Sequence, residues 1–112
     1  MSDLEARLPV HLLIDATLKP LNGQGIFYYI HQRGESNTGT ILLKLNNIMG
    51  KCSLLVQQRD LEGKLGWVNA MSKEQVEEIE ADEYIRRSIS RDPDLWVIEI
   101  EDQKMNNPFD RV

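Results

Sequence analysis

Glu99 and Glu101 are the pair of side chains in this sequence best placed to do chemistry. They end the run Leu95-Trp96-Val97-Ile98-Glu99-Ile100-Glu101, which reads as a strand, and alternate residues of a strand share a face about 6.5–7 Å apart. With Asp92, Asp94 and Asp102 close in sequence, such a pair has the oxygen ligands that a hard cation such as Mg²⁺ takes. That would make a small metal-assisted hydrolase. The plainer reading is a solvated strand face with capping acids around Pro93. It is preferred, because the chain carries neither a DxDxDG calcium loop nor a GxxxxGK[ST] phosphate cradle.

Nucleophilic and zinc chemistry fare worse. The only histidines are His11 and His31, and the only cysteine is Cys52. A zinc site needs three or four ligands. A Cys52–His31 pair would need adjacent strands in a suitable register and a third group to orient the base. A lone cysteine in an apolar strand packs as a small hydrophobe. No catalytic residue, metal ligand or cofactor-binding residue is assigned, and no cofactor is expected.

The elements that must position these groups follow from periodicity. Val10, Leu13, Ile14, Thr17, Leu18 and Leu21 mark one face of a helix from about Pro9 to Lys19. Pro9 suits its first turn, and Pro20 ends or kinks its last. Four strands follow at residues 25–32, 40–46, 51–58 and 65–69. Their short loops predict an antiparallel meander. Ser72-Lys73-Glu74-Gln75 fits a capping box opening a second helix, with Asp82–Arg86 and Glu83–Arg87 as i,i+4 pairs. Val76 and Ile79 lie off that helix's apolar stripe of Ala81, Tyr84, Ile85, Ser88 and Ile89. The last strand, 95–101, is apolar on both faces at its start, so it belongs inside the sheet.

The order α-β-β-β-β-α-β predicts an α+β fold: one twisted, mainly antiparallel sheet of about five strands, one surface of it buried beneath two helices. A chain of 112 residues holds one such domain, with residues 1–7 and 103–112 as loose tails. Trp67 and Trp96 are read as core or interface anchors.

Composition narrows the function classes. The chain is 41% hydrophobic and 28% charged, as in an ordinary globular protein, and no apolar run is long enough for a membrane span. Its net charge of −5 is unevenly placed. Seven bases meet six acids before residue 71, and six bases meet twelve acids from there on. Net negative charge disfavours non-specific nucleic-acid binding. The opening MSDLEARLPV is acidic and proline-broken rather than basic and apolar, so a cytoplasmic location is expected.

Several stretches resemble a known family. They are Leu18-Lys19-Pro20-Leu21-Asn22-Gly23-Gln24-Gly25-Ile26, Gln32-Arg33-Gly34-Glu35, Gly39-Thr40-Ile41-Leu42-Leu43-Lys44-Leu45-Asn46 and, most specifically, Asp92-Pro93-Asp94-Leu95-Trp96-Val97-Ile98-Glu99-Ile100-Glu101-Asp102. Together they are similar to the short bacterial proteins grouped as domain of unknown function 1491, over about Leu8 to Phe109. Pro20 departs from that pattern, in which a long basic or polar residue precedes the Leu-Asn pair. The resemblance implies a small cytoplasmic bacterial protein, with no established activity and no catalytic residues to carry over.

What remains is action through surface contacts. The acid-rich start of the second helix, with Glu77, Glu78 and Glu80, is the expected docking surface for a protein partner, and self-association is the other form such contact could take. The alternative is a single-stranded nucleic-acid-binding sheet using Tyr29, Arg33 and Lys44. In that reading Phe27, Tyr29, His31 and Arg33 share a face with Lys44, Asn46, Ser53, Gln57 and Arg59. The RNA-binding signature of the commonest such sheet is missing.

Overall fold

The computed structural model describes residues 8–110. Its elements are α1 (Val10–Gly23), β1 (Phe27–Gln32), β2 (Ile41–Asn46), β3 (Lys51–Arg59), β4 (Leu65–Asn69), β5 (Val76–Glu77), α2 (Glu78–Arg91) and β6 (Trp96–Glu101). The expected tail 1–7 lies outside the described residues.

The six strands form one mixed sheet in the order β1-β6-β2-β3-β4, with the two-residue β5 also paired to β3. β2, β3 and β4 are the expected meander, but β1 is not part of it. β6 enters between β1 and β2, antiparallel to β1 and parallel to β2. The eight residues between Gln32 and Ile41 are long enough to step over one strand position, whereas the four between Asn46 and Lys51 hold β2 and β3 as neighbours. β2 is buried throughout and β6 at all but its last residue, as befits a parallel pair covered on both faces.

The two helices lie on opposite faces, so the single buried surface expected becomes two. Ile41, Leu43 and Leu45 of β2 and Trp96, Ile98 and Ile100 of β6 pack with Ile14, Leu18 and Leu21 of α1. The alternate residues Leu42 and Val97 pack instead with Leu54 and Ile85, the latter from α2. Each such buried aliphatic side chain contributes roughly 1.5–3 kcal/mol.

Both helix boundaries differ from expectation. α1 runs through Pro20 to Gly23, since a proline this close to the C-terminus removes one hydrogen bond and leaves the buried face of Leu18 and Leu21 intact. α2 starts at Glu78 rather than after Ser72. Its capping box is Glu77 with Glu80: the Glu77 backbone N–H donates to Glu80, and the Glu77 side chain accepts from the helix's third residue. Val76 lies off the helical stripe because it is a strand residue, paired with Cys52.

The loop 33–40 ties the layers together. Pro9 offers α1 no side-chain cap, and the helix's first N–H groups donate to the carbonyls of Asn37 and Ser36. The Glu35 carboxylate accepts the N–H groups of Thr38 and Asn37, which holds its pKa below the usual carboxylate value. The indole of Trp96 donates to the Glu35 carbonyl at 2.7 Å. Gly34 passes so close to Asp94 that a Cβ there would stand 2.1 Å from its carbonyl oxygen. Residues 103–110, expected to be loose, fold back in turns, and the Phe109 ring lies 5.7 Å from that of Trp67. No helix among the described residues is long and apolar enough to cross a membrane.

Candidate docking surface and the charged network beneath it

On the α2 side, four adjacent strands contribute to one row of side chains. His31 comes from β1, Glu99 from β6, Lys44 and Asn46 from β2, and Cys52 lies beyond them on β3. Lys44 and Glu99 are direct neighbours in the parallel register.

Lys44 is 3% exposed, and its ammonium meets three carboxylates: Asp82 at 2.7 Å, Glu78 at 2.9 Å and Glu99 at 3.3 Å. Burial works against its charge, but Asp82, Glu78 and Glu99 outweigh that and hold its pKa well above the ordinary lysine value. Asn46 donates to both Glu78 and Glu99, and the His31 ring bonds Glu99 at 2.7 Å. Burial pushes the Glu99 carboxyl up, yet Asn46, His31 and Lys44 together bring it below its usual value. All members of this network are bonded, as a buried polar cluster requires. It locks the first turns of α2 to the sheet.

The network changes what the sequence-derived sites can do. Lys44, expected on the alternative nucleic-acid-binding surface, is spent inside the protein. Arg33 is on the wrong side of the sheet. A bulge between Ile30 and Gln32 inverts the alternation, so Tyr29 and His31 share the α2 face while the Arg33 guanidinium lies over the Trp96 ring, 5.1 Å from its centre. Ser53 is also on the α1 side, because the register sets Leu54 opposite Lys44 and Cys52 opposite Asn46; Gln57 and Arg59, four and six residues further along β3, share its face. Tyr29, Arg33 and Lys44 therefore do not form one surface.

Glu99 and Glu101 do share a face, but Glu99 serves Lys44, Asn46 and His31, and Glu101 accepts a long bond from Tyr29. Among the described residues no group of three or more His, Cys, Asp or Glu stands ready to hold a metal ion. β6 and β2 lie between His31 and Cys52, which puts the two strands about 14 Å apart at the usual spacing. Cys52 is fully buried, and desolvation pushes its thiol up to about 11.

The expected docking residues fall together at one end of the molecule, with distinct roles. Glu78 belongs to the network, Glu80 closes the capping box, and Glu77 caps α2 and pairs with Lys51 at 2.9 Å. The β2–β3 turn lies against them, since the Glu78 N–H donates to the Gly50 carbonyl. This turn was not singled out as a site in the sequence. It lifts Ile48 (56% exposed) and Met49 (78%) into solvent, and Ile79 (71%) stands one residue beyond the Glu78–Gly50 bond. Ile48 has φ 67°, a left-handed conformation that is costly for a β-branched residue. Asn46 holds it there by accepting the Ile48 N–H at 2.8 Å.

A family model described as "Protein of unknown function (DUF1491)" matches residues 8–110, nearly the whole chain. The chain belongs to this family. The chain resembles the crystal structure of a DUF1491 family protein from Caulobacter crescentus, with 25% identity and a TM-score of 0.78 over 91% of this chain and 94% of that one. A solution structure of a DUF1491 family protein from the same organism gives 24% identity and a TM-score of 0.77 over 91% and 92%. A solution structure from A. tumefaciens shares the fold at 23% identity and a TM-score of 0.64, over 85% and 86%. No curated protein matches. For this DUF1491 chain the comparisons thus supply family and fold, and no role.

Proposed function

We propose that this protein is a non-enzymatic interaction module. It docks a basic protein segment with an apolar centre on the surface made by the β2–β3 turn and the start of α2. The observation that carries the reading is Ile48: an isoleucine kept left-handed and exposed beside Met49, in a turn where asparagine or glycine would be at ease. Folding alone gains nothing from that choice. A partner that covers Ile48, Met49 and Ile79 does, and the carboxylates of Glu77 and Glu80 at the rim favour a partner with lysine or arginine there.

The charged network supports the same reading by rigidity, since a docking face on a helix locked to the sheet loses little entropy on binding. The nucleic-acid alternative has less support, with Lys44 buried and Arg33 on the opposite face. A cation site at Glu99 and Glu101 has less again, with Glu99 engaged by three neighbours.

Affinity capture from an extract of the cells that make the protein tests the proposal. A protein held by the wild type, and lost both by Glu77→Lys with Glu80→Lys and by Met49→Ser, is the expected result. The control Asp15→Lys, at an exposed position of α1, should retain it. Capture indifferent to all these changes contradicts the assignment.

A further inference from the structure

β1 ends the sheet, so the outer row of its backbone N–H and C=O groups has no strand partner among the described residues. Edge strands normally carry a lysine, a proline or an inward charge that discourages pairing with another chain. Phe27-Tyr28-Tyr29-Ile30-His31-Gln32 has none of these, and its one bulge lies beyond Ile30, leaving 27–30 regular, with Ile26 just before the strand. On the α2 side, Phe27 is 67% exposed and Tyr29 is exposed beside it.

We infer that β1 pairs antiparallel with β1 of a second copy, centred on Tyr28, to form a weak symmetric dimer with one continuous sheet. An axis perpendicular to the sheet keeps each face continuous, and a strand meeting itself this way is self-complementary and closed. Phe27 then stands opposite Tyr29 of the partner subunit on one face. Ile26 stands opposite Ile30 of the partner subunit on the other. Cross-strand aromatic pairs of this kind are favourable.

Charge selects a second copy at this edge. A chain of net charge −5 repels itself least through a strand without acids, and β1 has none, with His31 its one basic side chain. The opposite edge is split between β4 and β5 and is flanked by Lys51, Arg59, Asp60 and Lys64. Five residues a side is a small contact beside the roughly 800 Å² per partner of a stable interface, so association is concentration-dependent. This inference is independent of the docking surface, which lies on the far side of β6 and β2.

Sedimentation velocity from about 10 µM to about 1 mM, bracketing a weak complex, reads the outcome. The mean mass is expected to rise from 12.9 kDa toward twice that value. Tyr29→Lys and Phe27→Lys, each at an exposed side chain, should hold it at the lower figure with the far-UV spectrum unchanged. A single 12.9 kDa species throughout overturns the inference. So does self-association that survives in whichever edge variant stays folded.

Discussion

Lys44 and Glu99 stand directly opposite one another on the parallel strands β2 and β6, with Nζ and carboxylate 3.3 Å apart beneath the first turns of α2. The pair is charged, and it is roofed by two more carboxylates from the helix. Removing the cation leaves three acids facing one another. Lys44→Met should therefore cost about 3–5 kcal/mol at neutral pH. In thermal melts this is a loss of roughly 10–20 °C. Adding Glu99→Gln should recover part of it.

The same pair sets the pH range of stability. The Glu99 pKa is lower in the folded chain than its usual 4.5, so its contribution is complete above about that pH and is lost as pH falls through the folded value. The Lys44 pKa is raised from 10.5, so its contribution is complete below about that pH and is lost only as pH rises through the folded value. Melting temperature against pH should fall on the acid side below about 4.5, more gently in Glu99→Gln.

Cys52 should behave as core. With the thiol pushed up to about 11 and buried, iodoacetamide at pH 8 should leave the native protein unlabelled by mass spectrometry. Labelling should become complete only in denaturant. Rapid native labelling would revive a reactive role.

Gly34 is constrained by backbone rather than by a movable side chain. Gly34→Ala would place a methyl 2.1 Å from the Asp94 carbonyl oxygen, so the loop must move off the end of β6. A loss on the order of 2–4 kcal/mol is expected in denaturant titration.

Much of this architecture was legible from residue patterns, and the exceptions have physical causes. The stripe from Val10 to Leu21 marked α1, and the two-sided apolar start at Trp96 and Val97 marked β6 as internal. Which gap β6 fills depends on the loop 33–40 stepping over a strand, and no local pattern encodes that. Val76 and Ile79 looked like misplaced helix residues because one is a strand residue paired with Cys52 and the other an exposed residue of the helix's opening turn. The network was hidden because Lys44 is a charged residue in a strand, which reads as solvent-facing until Glu78, Asp82 and Glu99 are known to surround it. The bulge after Ile30 moved Arg33 to the other face, where strict alternation misplaces it.

Ile48→Asn tests the docking account most directly, because it sets folding against binding at one residue. Asparagine tolerates the left-handed turn, so the variant should be more stable than the wild type by about 1 kcal/mol while losing the captured partner. A variant that is stabilised and still binds in full would show that Ile48 is not kept for a partner, and the account would fail.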